Sequence, residues 1–452
     1  MRHGGFLRIL YLICLFSFLL DIYAYQGVKT WVKGWKSVRR QKIAKRSYLV
    51  LFTGVTILFL CAITFAPRYL TRFQEWSLTL FLTFLFTKLF FIIVLLLGDI
   101  VRFFWGIFRR IFKPKPLSGE PKPVSGESKP VLGESKPVLG ELKPVSGESK
   151  RVPAGPFFPS RRRFIAEAGI LLASVPFTGF FYAMFKGKYD YRLHEVTLYF
   201  DDLPASFDGF TITQLSDFHS GSFDNMSAVT RGIDIAKSLQ SDLFVFTGDL
   251  VNNMAWEVEP YISLFSQLKA PYGQFSILGN HDYGDYARWD DPEQKEANFE
   301  KIKQHHQALG YRLMLNENTV IRKGSDQLAL IGVENWGRGF IQVGDIDKAL
   351  EGVDKNAFKI LLSHDPTHWE EKIRFHPTTI HLTLSGHTHG AQFGIETDRL
   401  RWSPVQGRYL DWAGLANEKN RYLYVNRGFG FLAFSGRLGI WPEVTKLTLR
   451  KA

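Results

Sequence analysis

Apolar residues fill the first half of the chain in long blocks, whereas in the second half they come in short runs separated by polar clusters. Four blocks stand out: Phe6 to Ala24, Tyr48 to Ala66, Trp76 to Leu97 and Phe164 to Phe185. Each approaches the ~20 residues an α-helix needs to cross a bilayer core. The fourth is the weakest, with Glu167 near its start and Pro176 inside. A cleaved signal peptide is the competing reading of the first block; the later spans and the lack of a small-residue cleavage site argue against it.

From Tyr191 onward the pattern becomes that of a layered α/β domain. Five short runs read as buried strands: Phe210 to Leu215, Leu243 to Phe246, Phe275 to Leu278, Ile360 to Leu362 and Ile380 to Leu384. Helical stretches, Met226 to Leu239 and Pro292 to Leu309 among them, lie between several of these. Between the two halves, Lys115 to Lys150 repeats every seven residues in the form Lys-Pro-Val-Ser-Gly-Glu-Ser. Pro and Gly in each unit forbid a helix, so this predicts a semi-extended linker. The expected organisation is a membrane region at 1–113 with about three spans, a repeat linker at 114–160, an Arg-rich flank and fourth apolar helix at 161–186, and a soluble domain at 187–452.

Charge changes the picture once it is divided. The net charge is +13, but residues 1–185 hold 27 Lys+Arg against 9 Asp+Glu, and residues 186–452 hold 29 against 34. The soluble part is therefore acidic, which argues against nucleic acid as a partner. Lys and Arg crowd the first loop, with eight between Tyr25 and Ser47; the next loop has Arg68 and Arg72. Arg102, Arg109, Arg110, Lys113 and Lys115 follow the third block. By the positive-inside rule, four spans then place the soluble domain on the extracytoplasmic side of a cell membrane. Arg161-Arg162-Arg163 before the fourth block reads equally as a twin-arginine-like signal or an ordinary positive flank. Lys88 falls inside the third block, where a charge must snorkel or pair, with Asp21 of the first block as a possible partner. Cys14 and Cys61 are the only cysteines, so the soluble domain must hold any metal with His, Asp, Asn or Glu.

Each of the five strand-like runs ends in a polar cluster: Asp217-Phe218-His219, Gly248-Asp249, Gly279-Asn280-His281-Asp282, Ser363-His364-Asp365 and Gly386-His387-Thr388-His389. One such cluster would mean little, since a Gly-Asp after a strand is usually a turn. Five in series, at the place where α/β sheets build sites, point to one centre. Imidazole and carboxylate donors together suit Mn, Fe or Zn better than Mg or Ca. Hydrolysing a phosphate ester needs an activated water and a sink for phosphoryl charge, which two divalent ions supply.

The ordered series Asp-x-His, Gly-Asp, Gly-Asn-His-Asp, His, Gly-His-x-His resembles the signature of calcineurin-like metallophosphoesterases, in particular bacterial membrane-anchored members, over roughly Tyr191 to Lys451. The resemblance implies a layered β-sandwich flanked by helices, the metallophosphoesterase fold, behind an α-helical membrane region. It implies that Asp217, His219 and His389 bind one metal, that Asn280, His364 and His387 bind the other, and that Asp249 bridges both. His281 would protonate the leaving oxygen or stabilise its charge, and Asp282 would orient His281. A hydroxide activated by the two metals would attack phosphorus. Arg437 is expected to contact substrate phosphate or to form a structural ion pair. The implied substrates are phosphodiesters, phosphomonoesters or pyrophosphates, with lipid-linked or nucleotide-sugar envelope precursors favoured by the membrane and a UDP-diacylglucosamine-type pyrophosphatase as one candidate. The competing reading is a membrane sensor or transport component with a non-catalytic domain. Trp402, Tyr409, Trp412 and Phe429 would line an apolar entry or belong to the core. His305 and His306 are expected exposed on a helix, and His368 at the rim or on the surface.

Overall fold

Each apolar block forms a helix in the computed structural model, which describes residues 2–65, 71–112 and 161–452. The helices are α1 (Arg2–Val32), α2 (Val38–Thr64), α3 (Arg72–Ile111) and α4 (Arg161–Phe185). All four are long and apolar enough to cross a membrane. The repeat linker read at 114–160, and Arg68, lie outside the described residues. Ser37 and Thr71 start α2 and α3 as side-chain caps, each satisfying a free N–H of the first turn. The helices run up and down. Tyr23 of α1 donates to Asp99 of α3 (2.6 Å) towards one end, and Tyr11 meets Thr64 (3.4 Å) towards the other.

The charge in the third block is paired. Lys88 Nζ donates to Asp21 Oδ1 (2.8 Å), Ser17 Oγ (2.8 Å) and the Ser17 carbonyl (2.9 Å), and Tyr48 donates to the same carboxylate (3.2 Å). Lys88 and Asp21 are both buried, so three helices meet on one ion pair.

The described residues after α4 fold around two packed six-stranded sheets. The strands are β1 (Arg192–Phe200), β2 (Thr211–Leu215), β3 (Leu243–Phe246), β4 (Gln274–Ser276), β5 (Arg312–Leu313), β6 (Glu317–Lys323), β7 (Asp326–Gly332), β8 (Phe358–Leu362), β9 (Leu382–Ser385), β10 (Ile395–Glu396), β11 (Arg401–Trp402), β12 (Gly414–Glu418), β13 (Arg421–Val425) and β14 (Glu443–Lys451). One sheet has the order β1-β14-β2-β3-β4-β5 and the other β12-β13-β9-β8-β7-β6, with β10 and β11 as a separate hairpin. β2 to β5 are parallel, as are β13, β9, β8 and β7. Alternate side chains explain the unbroken apolar runs. Ile212, Leu243, Val245, Ile360, Leu362, Leu382 and Leu384 fill the space between the sheets. Leu215, Phe244 and Phe246 point the other way, into a core shared with helices α5 (Met226–Ser238), α6 (Ile262–Phe265) and α7 (Pro292–Ala308).

The domain is docked on the helices. Arg72 of α3 donates to the Phe223 carbonyl (2.7 Å), and Ser435 N donates to Thr79 Oγ1 (2.8 Å). Phe393 stacks near Phe86 of α3 (6.3 Å between centroids) and Phe180 of α4 (5.8 Å).

Replacing Lys88 with Met strands a buried carboxylate and is expected to destabilise the bundle by about 3–5 kcal/mol. The Asp21→Asn, Lys88→Met double variant recovers most of that. Thermal unfolding of the detergent-solubilised protein measures both; a single variant as stable as the parent would refute the pairing argument.

Candidate metal centre

The two sheets bring their carboxyl edges together, and the five polar clusters sit on that line. The turns after β2, β3 and β4 come from one sheet, and those after β8 and β9 from the other. Hydrogen bonds sew them. His364 Nδ1 donates to the Thr247 carbonyl (2.7 Å), and His387 N donates to Asp217 Oδ1 (3.0 Å).

Two groups of donors result. Asp217, His219 and His389 form one, and Asp249, His364 and His387 the other; within each, the ligand atoms lie within 4.8 Å of one another. In the first, His219 Nε2 and His389 Nε2 are 3.0 Å apart, and His389 Nε2 is 3.3 Å from Asp217 Oδ1. In the second, His387 Nδ1 is 3.3 Å from His364 Nε2 and 2.8 Å from Asn280 Oδ1. Asp249 joins them: its Oδ2 lies 3.5 Å from His219 Nε2 and 3.2 Å from His364 Nε2. A buried convergence of imidazole nitrogens and carboxylate oxygens, shared by one carboxylate, fits a pair of divalent cations.

The backbone is bent to make this possible. Asp217 (φ 55°), His219 (46°), Asp249 (59°), His387 (75°) and His389 (50°) all occupy the left-handed region. Non-glycine residues enter it at a cost of about 1–2 kcal/mol each, and such strain clusters at functional sites. Gly248 (φ 98°) shows how tight the turn is: a Cβ there would sit 2.6 Å from Gly279 N and 2.8 Å from His364 Nδ1.

Second partners hold the rings. His387 Nε2 is 2.8 Å from Tyr409 Oη and 3.3 Å from Asp365 Oδ2, which leaves Nδ1 to face Asn280 and His364. Burial keeps the imidazoles of His219 and His387 below their ordinary pKa, in the neutral form that binds metal. His364 differs: burial opposes its charge, but the Asp249 carboxylate overrides that and pushes it up to about 10. Tyr409 and Asp365 were not readable as partners, because nothing local in sequence sets their approach to His387.

His281 lies beside the first group, its ring 4.9 Å from that of His219 and stacked on Tyr286 at 4.3 Å. Its orientation corrects the sequence reading. His281 Nδ1 donates to the Asn252 carbonyl (2.7 Å), leaving Nε2 for the site. Asp282 does not orient this ring. Its carboxylate accepts from the backbone N–H groups of Asp249 (3.0 Å), Leu250 (2.9 Å), Val251 (3.3 Å) and Gly279 (2.9 Å). Converging amides outcompete a single imidazole for a buried carboxylate. Arg437, for which substrate contact and a structural role were both open, is fully buried, donates to the carbonyls of Arg427 (2.9 Å) and Gly430 (2.6 Å), and rests 3.0 Å from His389 Nδ1. His305, His306 and His368 are buried as well; His306 Nδ1 meets Ser276 Oγ (2.9 Å) and His368 Nδ1 meets Ser363 Oγ (2.9 Å). Tyr409, Trp412 and Phe429 are core, whereas Trp402 is 44% exposed.

Comparison with known proteins agrees with this geometry. A family model described as "Probable Calcineurin-like phosphoesterase, transmembrane domain" matches residues 7–188, and the model "Calcineurin-like phosphoesterase" matches residues 210–391. The chain is 29% identical over 303 residues to the uncharacterized metallophosphoesterase YkuE of Bacillus subtilis, covering 64% of this chain and 98% of that protein. It is 28% identical over 295 residues to the phosphodiesterase YaeI of Escherichia coli, covering 64% of this chain and 99% of that one. To the bovine transmembrane protein with metallophosphoesterase domain it is 28% identical over 264 residues, about half the length of each (55%). Spanning helices, two mixed sheets and paired His/Asp clusters thus come together in one molecule, and the chain belongs to the calcineurin-like metallophosphoesterases with an N-terminal transmembrane domain.

Proposed function

We propose that this protein hydrolyses a phosphodiester, phosphomonoester or pyrophosphate bond at a two-metal centre, on a substrate held at the outer face of a cell membrane. The observation that carries the reading is Asp249, whose Oδ2 lies within 3.5 Å of an imidazole from each donor group. Asp217, His219 and His389 would hold one ion; Asn280, His364 and His387 the other; Asp249 would be shared. Mn, Fe or Zn suits these donors. When bound, the ion pair acidifies water and neutralises phosphoryl oxygens. The protein's own part is positional. Asp282 fixes the turns that carry Asp249 and Asn280, Arg437 backs His389, and His281, with Nδ1–H held by the Asn252 carbonyl, directs Nε2 at the site, where its protonated, imidazolium form would give the Nε2 proton to the leaving oxygen.

Lipid-linked or nucleotide-sugar envelope precursors are the substrate class we favour, a UDP-diacylglucosamine-type pyrophosphate among them. Support comes from the β10–β11 hairpin, which follows the paired-His turn and exposes Ile395, Leu400 and Trp402. Phe393 at its base stacks near Phe86, fourteen residues and about 21 Å into α3. Apolar side chains next to spanning helices suit an amphiphile. Four spans and the basic first loop favour the extracytoplasmic side for the domain. A sensor with a silent domain is the alternative, and an inactive Mn-loaded protein across a panel of monoesters, diesters and pyrophosphates would favour it.

Two outcomes are expected of the detergent-solubilised full-length protein. His281→Ala keeps its metal content but loses about 10²–10⁴-fold in kcat on an aryl phosphodiester; full activity would show that His281 is not the proton donor. Metal binding should displace the His364 proton, because that imidazole is charged below a pKa of about 10. Apparent Mn affinity then rises by up to about tenfold per pH unit between about pH 6 and 8. Calorimetry in buffers of different ionisation enthalpy counts the released proton, and buffer-independent heats would refute the assignment.

A further inference from the structure

The loop after the first metal-site motif is gripped by a membrane helix. Glu75, in the opening turns of α3, is 2% exposed, and its Oε1 accepts a hydrogen bond from Ser222 Oγ (2.8 Å). Ser222 Oγ in turn accepts from Asn252 Nδ2 (3.0 Å). The Asn252 carbonyl is the group that accepts from His281 Nδ1 (2.7 Å). Glu257 pins the same residue from behind, its Oε2 accepting from Asn252 N (2.5 Å). A continuous line of hydrogen bonds therefore runs from a helix of the membrane region to the imidazole beside the metal-site donors.

The surroundings leave this line little slack. Gly221 stands where a Cβ would lie 2.6 Å from the Glu257 carboxyl carbon and 2.9 Å from Asn252 Nδ2, so the loop passes as bare backbone. Ser222 N donates to the His219 carbonyl (2.9 Å), and Arg72, one turn before Glu75, holds the Phe223 carbonyl (2.7 Å). Thr71 and Gln74 form a capping box that sets the start of α3. Glu75, Ser222 and Asn252 are buried and His281 is half-buried, so an unmade bond among the first three would leave a polar atom without water to replace it.

We infer that Glu75 is a positioning residue for His281, acting through Ser222 and Asn252, so that the membrane region completes the catalytic centre besides anchoring it. The inference rests on the hydrolase reading above. A carboxylate that only glued the two parts together would affect stability and leave turnover alone. A positioning residue instead changes how often the His281 ring points at the leaving oxygen, which lowers kcat and spares KM.

The test uses the full-length protein in detergent, assayed with an aryl phosphodiester at saturating Mn. Glu75→Ala is expected to lower kcat about tenfold or more, with KM and metal content unchanged. Glu75→Gln keeps an acceptor for Ser222 and retains most of kcat. Thr79→Val removes a different bond between α3 and the domain, to Ser435 N, and keeps kcat. Ser222→Ala breaks the line while leaving the sequence of α3 intact, so a poorly folded Glu75 variant would not leave the question open; it should lose kcat to the same degree. Parental kcat in both Glu75→Ala and Ser222→Ala, or an equal loss in Thr79→Val, would overturn the inference. A parent protein inactive across the substrate panel would instead overturn the hydrolase reading, and a fully active His281→Ala enzyme the proton-donor role, on which the inference stands, so these failures are distinguishable from its own.

Discussion

The carboxylate of Asp249 is the constraint around which the domain is built. It is buried, and a buried carboxylate must be compensated. Its compensation comes from both sheets: His219 follows β2, His364 follows β8, and Oδ1 accepts from His281 N (2.9 Å) after β4. Those three elements must end at the same height. The apolar packing of Ile212, Val245, Ile360 and Leu384 between the sheets sets that height, so core and site are two readings of one register.

Around this point the chain holds strained backbone in place with hydrogen bonds that cross between turns. Five of the seven proposed ligands have positive φ, and each would relax if its turn were free. Asp282 prevents that for the Asp249 turn by collecting four amide N–H groups from two strands' ends. Arg437 does the same behind His389, spreading one guanidinium over carbonyls of the 427–430 segment. Both are what lets small, polar, bent loops stay fixed without a hydrophobic core of their own.

How much of this was legible beforehand depended on whether the signal was local. The five strand-end clusters stood out because each couples a β-rich run to a short polar turn, and the spanning helices because apolar length is itself the physical requirement. The partition of the five strands between two sheets was hidden. An unbroken run such as Phe358–Leu362 says that both faces are covered, and not by which partner. The misplaced partner of Asp282 and the choice left open at Arg437 have one origin: sequence names a charged side chain near a motif, whereas its direction depends on which amides or carbonyls converge there. His305 and His306 fail similarly, since α7 carries too many charged residues for its buried edge to show in the pattern.

The membrane region looks at first like a separate device joined by a linker, yet its internal register bears on the centre. A buried ion pair contributes little net stability, but it can specify a unique arrangement. Lys88 and Asp21 do this for α3 against α1, because any slip leaves both charges unpaired. Glu75 stands thirteen residues before Lys88 on the same helix, about 20 Å away along its axis. A slip of one helical turn, about 5.4 Å, would carry Glu75 beyond hydrogen-bond reach of Ser222. The ion pair among the spanning helices thus sets the height at which α3 presents its carboxylate. A charge deep in an apolar bundle and an imidazole beside the metal-site donors are tied to one rigid rod.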